Sequence, residues 1–238
     1  MSKFNPSPSM NEGTFASEVI NRSLLYGILG YLPEEICNVL VLDGPKQTQM
    51  SLILENAGYK VARICPQKDD DPTCIASTTE EIEGESFGVV ICPGWLSDND
   101  DPEEISREAM RLLVQGGLFF GSVPGRFAAA VDCVPQSTSN ASSIANGIDE
   151  IQWWGTKELF TPNDIACELE AIGFEVVDFY GWEHALTKLP GEKLSATDWD
   201  EGFFEDFLEL EFRLAQERSI LGMAPTIQFV AKKPNPEP

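Results

Sequence analysis

The stretch 38–67, NVLVLDGPKQTQMSLILENAGYKVARICPQ, constrains what the rest of the chain can fold into. The apolar run Val39-Leu40-Val41-Leu42 reads as a strand that ends in the turn Asp43-Gly44-Pro45. Met50, Leu52, Ile53 and Ala57 then fall at helical spacing up to Gly58, and Val61-Ala62-Arg63-Ile64 is a second apolar run. Strand, turn, helix, strand is a βαβ unit, whose strands lie parallel in one sheet with the helix on one face. Such units bind ligands at the β-to-α turn, beyond the carboxyl ends of the strands.

The alternation continues downstream. After a charged loop at 68–72, a short strand at 73–76 and an acidic stretch at 80–85, residues 86–92 form a compact apolar strand stopped by Pro93-Gly94. Asp101-Pro102-Glu103-Glu104 opens a helix, with proline near its first position and acids where the helix dipole favours them. That helix runs through Ile105, Ala109, Leu112 and Leu113 to Gly116-Gly117, and a strand at 118–123 follows. Thr161 is an N-cap with Pro162 at the first helical position; the helix reaches Ile172, stops at Gly173 and gives way to a strand at 174–180. Residues 226–231 form the last strand. Ahead of the βαβ unit, residues 14–32 read as an amphipathic helix that packs on the sheet edge or closes over a site.

Strands separated by helices predict an α/β fold, a mostly parallel sheet with helices on both faces. Three turns then converge on one crevice: Asp43 to Lys46, Cys65 to Lys68, and Cys92 to Leu96. Two regions break the pattern. Residues 128–146, rich in Ser, Ala and Asn, read as a long loop, and 181–202 as an irregular insertion holding Trp182, His184 and Trp199. Residues 203–221 read as a long acidic helix with Phe204, Phe207, Leu208, Glu211 and Leu214 on adjoining faces. The expected organisation is a tail at 1–12, one domain at 13–234 with insertions or a cap at 125–160 and 182–222, and a tail at 235–238.

A chain of 238 residues, 42% hydrophobic, can bury a core of that kind. The net charge of −23 argues against nucleic acid or an anionic membrane as partner, because both require a positive field. Six cysteines without a CxxC pair and a single histidine argue against a metal site. With no leader and no run of 18 apolar residues, the expectation is a soluble protein of the reducing cytoplasm.

The order of these elements resembles the class I S-adenosylmethionine-dependent methyltransferases, in particular the small-molecule branch typified by ubiquinone and menaquinone biosynthesis enzymes. The resemblance spans roughly residues 32–234 and rests on five pieces in sequence. Phe87-Gly88-Val89-Val90-Ile91-Cys92 with Leu96 is similar to the family's fourth strand. Asp101-Pro102-Glu103-Glu104 through Arg111-Leu112-Leu113 is similar to its next helix, and Gly116-Gly117-Leu118 to the glycine pair before strand five. Phe160-Thr161-Pro162 with Leu169, then Gly173-Phe174-Glu175-Val176-Val177, resembles its late helix and sixth strand, and Phe229-Val230-Ala231-Lys232-Lys233-Pro234 its ending. The resemblance implies a Rossmann-like seven-stranded sheet whose last strand runs antiparallel.

It also implies S-adenosylmethionine as cofactor, held by backbone at a glycine-rich first turn and by a carboxylate after strand two. In this sequence the three glycine positions fall on Gly44, Lys46 and Thr48, and the preceding acid on Leu42 beside Asp43. The ribose-binding acid falls on Cys65, near Gln67; the acid after Phe87 is Gly88, and the polar residue after Cys92 is Pro93. Any Cβ in the first turn occupies ligand space or forbids the backbone angles glycine allows. Four such losses at about 1 kcal/mol each weaken binding several hundred-fold, so weak or absent cofactor binding is expected.

The cofactor positions carried over are Asp43, Gly44, Cys65, Gln67, Cys92, Gly94 and Trp95. His184, after the sixth strand, is the one side chain that titrates near neutrality by type, and reads either as a general base or as an ordinary loop histidine. Trp95, Trp153, Trp154, Trp182 and Trp199 suggest either a flat acceptor under a cap or packing of the insertions. Arg126 reads as a surface arginine or as the contact for an anionic substrate. Two functions follow. One is methyl transfer to a small molecule; the other is a retained fold that acts as a binding or partner subunit, with a dimer through the long helix as one form. A dinucleotide dehydrogenase fits less well, because it too needs a glycine-rich first turn and an acid after strand two.

Overall fold

A computed structural model of the chain describes residues 14–32, 37–42, 48–64, 74–76, 78–92, 102–148 and 158–236. In chain order the elements are α1 (Phe15–Leu29), β1 (Asn38–Leu42), α2 (Thr48–Asn56), β2 (Lys60–Ile64), β3 (Cys74–Ala76), β4 (Phe87–Cys92), α3 (Pro102–Leu112), β5 (Leu113–Pro124), α4 (Arg126–Cys133), α5 (Thr138–Ala145), α6 (Pro162–Ile172), β6 (Glu175–Trp182), α7 (Gly191–Leu194), α8 (Glu201–Ala215) and β7 (Thr226–Lys232).

The strands make one sheet in the order β3-β2-β1-β4-β5-β7-β6. β1 pairs in parallel with β2 and β4, and β4 in parallel with β5, while β7 runs antiparallel between β5 and β6. The order turns back on itself between β1 and β4, so β1 leads to β2 on one side and β4 to β5 on the other, the switch point at which sheets of this kind bind ligands.

Continuous apolar runs make the central strands because both faces are covered. Val39, Leu40 and Val41 are all fully buried, as are Val89 and Val90. On one face α3 and α6 bring Ile105, Ala109, Leu112, Ile165 and Leu169 against Leu40, Val90 and Phe229. On the other, α1 and α2 bring Leu24, Leu25, Ile28, Met50 and Leu54 against Val39, Val41 and Val230. The first helix therefore packs along the sheet.

α6 shows how local chemistry sets an element. Thr161 Oγ1 accepts from Asp164 N while the Asp164 carboxylate accepts from Thr161 N, a reciprocal capping box, with Pro162 in the first turn. At the other end Gly173, at φ 109°, closes the helix in a left-handed conformation that disfavours any other residue.

Four expectations are corrected. Residues 128–146 are not a loop but the helices α4 and α5, which pack Ala129, Ala130, Cys133, Ala141 and Ile144 together. Alanine is the best helix former and Ser137 supplies an N-cap bond to Asn140 N, so short polar residues here cap a helix rather than dissolve it. The long acidic helix ends at Ala215, not Leu221, where the Glu217 carboxylate accepts from Ser219 N and Oγ and turns the chain. The strand placed at 118–123 begins at Leu113, directly after α3. Trp182 belongs to no insertion: it is the last residue of β6 and 1% exposed.

Candidate functional site

Strand register locates the carboxyl edge. Cys92 stands beside Gly121 of β5, Gly121 beside Phe229 of β7, and Trp182 of β6 beside Thr226 at the start of β7. Leu42, Ile64, Cys92, Pro124 and Trp182 therefore end their strands on one side of the sheet.

Of the positions expected to hold a cofactor, Asp43, Gly44, Cys65, Gln67, Gly94 and Trp95 lie outside the described residues, as do Lys46, Trp153 and Trp154. Cys92 is described: it is the last residue of β4 and has no solvent exposure. Thr48 is the first residue of α2.

An adenosyl ligand needs acceptors for its ribose hydroxyls and space for its sulfonium end. Leu42, Ile64 and Cys92 carry no carboxylate, and all three are buried. On α2, Ser51 is buried and its Oγ has no hydrogen-bond partner, but a hydroxyl does not replace a charged acceptor. Among the described residues, the ends of β1, β2 and β4 are therefore buried and without a carboxylate.

Among the described residues, the β5–β7–β6 half of the edge is polar. Gly125 donates its N–H to Pro225 O, and Arg126 donates to Leu159 O while pairing with Asp164 at 3.2 Å. Arg126 is thus no surface arginine. It ties the start of α4 to the start of α6, and its charge is already answered.

His184 follows Trp182 by two residues. A β-carbon added to Gly181 would lie 3.0 Å from His184 Nε2 and 2.8 Å from Ala224 Cβ, and Nε2 is buried without a hydrogen-bond partner. Burial, with the charge of Lys188 as a second cause, holds the imidazole below its ordinary value, so the ring is neutral at physiological pH.

Beside it stand two carboxyls that sequence reasoning did not single out. Glu183 adopts φ 71°, a left-handed conformation in a residue that is not glycine, and its Oε1 accepts from Thr226 Oγ1 at 2.6 Å. Glu211 of α8 is fully buried. Its Oε1 accepts from Ala185 N at 2.8 Å and Leu186 N at 2.6 Å, and its Oε2 has no partner. The signal for Glu211 was in the helix period: it occupies an apolar-face position with Phe204, Phe207, Leu208 and Ala215. Nothing in the local sequence marked Glu183.

Phe15, Val19, Leu186, Phe204, Phe207 and Leu208 form a separate apolar cluster over this corner, where Trp199 packs edge-on to Phe15 and face-to-face with Phe204. Trp199 and Trp182 are therefore packing residues. Among the described residues, no group of three or more His, Cys, Asp or Glu side chains is placed to hold a metal ion, and no helix is long and apolar enough to cross a membrane.

Sheet order and the antiparallel β7 together define the fold of class I S-adenosylmethionine-dependent methyltransferases, and solved structures of that class superpose over nearly the whole chain. A SAM-dependent methyltransferase from Archaeoglobus fulgidus matches with TM-score 0.56 at 15% identity, over 91% of this chain and 94% of its own. The structure of the Haloferax volcanii Trm112 methyltransferase activator with its partner matches with TM-score 0.59 at 12% identity, over 93% of this chain and 92% of that one. The [4+2]-cyclase SpnF matches with TM-score 0.54 at 12% identity, over 90% of this chain and 81% of its own. No protein-family model and no curated protein sequence matches the chain.

Proposed function

We propose that this chain is a methyltransferase-like protein whose adenosyl site is degenerate, so that it binds S-adenosylmethionine weakly or not at all. The observation that carries the reading lies at the strand ends: Leu42, Ile64 and Cys92 end β1, β2 and β4 buried and without a carboxylate. The sequence adds Lys46 and Thr48 at glycine positions and Cys65 at the ribose-acid position. If methyl transfer persists, the acceptor is a small molecule bound toward the β5–β6 half, and His184, neutral at physiological pH, is the base on that side. The sulfonium carries its own leaving group, so the protein's part would be alignment and, where needed, removal of one acceptor proton.

A second reading, a partner subunit that has kept the fold, is favoured by α8. Its outer face exposes Phe203 and Leu210 among Glu201, Glu205, Asp206 and Glu209. One structural relative was solved with a methyltransferase activator, and another is a cyclase, so this fold accommodates both a protein partner and a different reaction. Calorimetric titration with S-adenosylmethionine and S-adenosylhomocysteine tests the main reading. Absent or millimolar binding supports it, and micromolar affinity overturns it. Light scattering alone and with an active methyltransferase of the same fold tests the second reading, which a chain monomeric under both conditions contradicts.

A further inference from the structure

Glu183 and Glu211 both hold the segment that follows β6. Glu183, at the end of β6, is held to Thr226 at the start of β7. Glu211, from α8, is held to the N–H groups of Ala185 and Leu186, at the start of the connection from β6 to α8. Two features need an explanation. Glu183 sits in a backbone conformation that costs an L-residue of its size free energy unless the surroundings enforce it. Glu211 buries a carboxyl oxygen with no partner, inside an otherwise apolar helix face.

We propose that these two carboxyls form a proton-held latch, which when protonated pins the connection between β6 and α8 to β7 and α8, and when ionised releases it. A protonated Glu211 keeps its Oε1 as acceptor for both backbone N–H groups and removes the burial of an unanswered charge. A protonated Glu183 removes the repulsion between the pair. Loss of the protons places two like charges in one poorly solvated corner of a molecule already carrying −23.

The groups around the latch do not answer it. Thr226 and Gln228 of β7 are neutral, and Glu18 and Arg22 of α1 pair with each other. On α8, Glu205 reaches the same Arg22 and Glu209 pairs with Arg213; on the connection, Lys188 acts on His184. Burial is the larger influence on both carboxyls and holds each above the ordinary glutamate value, against the Thr226 hydroxyl on Glu183 and the backbone N–H groups of Leu186, Ala185 and Glu183 on Glu211; the charge of the Glu183 side chain raises Glu211 further. The sign follows from those directions. A carboxyl whose folded pKa is raised contributes stability that is fully present below the unfolded value and is lost as pH rises through the folded one. His184, held low, contributes with the opposite sign and is common to wild type and both glutamate variants, so comparing them removes it.

The latch does not depend on cofactor binding, and its test makes no use of activity. In the full chain, the melting midpoint of wild type is expected to fall as pH rises above the unfolded glutamate value of about 4.3, by about 3–5 °C per pH unit for each proton lost. Glu211→Gln, which keeps an acceptor and cannot ionise, is expected to remove at least half of that fall, and Glu183→Gln to remove part of it. Amide exchange at Ala185 and Leu186, corrected for intrinsic rates, is expected to speed up with pH in wild type and to lose that dependence in Glu211→Gln. A protonated-carboxyl infrared band in wild type at neutral pH, lost in Glu211→Gln, completes the expected result. The same pH slope in wild type and both variants overturns the latch. If neither variant folds, the wild-type spectrum decides: no protonated-carboxyl band at neutral pH overturns it, and its presence supports it.

Discussion

Trp182 at the end of β6 donates its indole N–H to Gln228 Oε1 of β7 at 2.8 Å, inside the molecule. The same amide donates through Nε2 to Leu24 O of α1 at 3.0 Å, so one glutamine joins two strands to the first helix. The contact also dictates the residue opposite: a β-carbon at Gly27 would stand 2.1 Å from Gln228 Oε1. The distance of α1 from the sheet is therefore set by a buried polar group and a missing side chain rather than by apolar packing alone.

Gln228→Leu strands a buried indole N–H and a helix carbonyl at once. The expected cost is about 2–4 kcal/mol, measured by chemical denaturation, with Trp182 fluorescence changed in the native state. An unchanged midpoint would show that the two bonds contribute nothing net.

Gly125 and Gly30 make a matched pair. A β-carbon at Gly125 would fall 1.9 Å from Ala224 O, a backbone atom that cannot step aside, whereas nothing lies within 4 Å of one at Gly30. Gly125→Ala is expected to destabilise by about 3 kcal/mol or more, as overpacking against backbone does. Gly30→Ala, in a right-handed helical conformation at the end of α1, is expected to be neutral or to stabilise by up to about 1 kcal/mol. Thermal melts of the two variants check the contrast.

Asp178 gives the opposite pH sign from the glutamate pair. Burial alone would raise its carboxyl, but hydrogen bonds from Tyr31 and Arg218 and from Phe179 N outweigh burial and hold it below the usual aspartate value. A lowered folded pKa contributes stability that is present above the unfolded value of about 3.9 and disappears as pH falls through the folded one. Wild type is therefore expected to lose more stability than Asp178→Asn between about pH 4 and about pH 2. Equal acid slopes in the two proteins would contradict that assignment.

Restoring the cofactor entrance tests the proposed degeneracy from the other direction. Lys46→Gly, Thr48→Gly and Cys65→Asp together return the residue types that the family resemblance implies. At about 1 kcal/mol each they should raise S-adenosylmethionine affinity by about a hundredfold, read by calorimetry. A gain no larger than threefold would mean that these three positions do not govern binding.

Elements with their own end signals were legible from the residues. α6 carries Thr161, Pro162 and Gly173, and α3 carries Pro102 with acids after it, so their starts and the end of α6 follow from chemistry within a few residues. α4 and α5 were not legible, because Ser, Ala and Asn suit a loop as well as a capped helix. What decides is the partner surface that Ala129, Ala130, Ala141 and Ile144 find in each other. The departures at Lys46, Thr48 and Cys65 could be read directly. The pairing of Glu183 and Glu211, 28 positions apart in the chain, could not.

The residues alone determined that this chain alternates strands and helices and covers its central strands on both faces. Those are properties of hydrophobic period, helix capping and side-chain type, which act over a few residues. Only the tertiary structure decided the strand order, the use of Trp182 and Arg126 as internal ties, and the burial of Glu211 beside the left-handed Glu183. Each depends on which distant surfaces meet, and the free energy of a buried polar group is set by the partners it meets there, not by its neighbours in sequence.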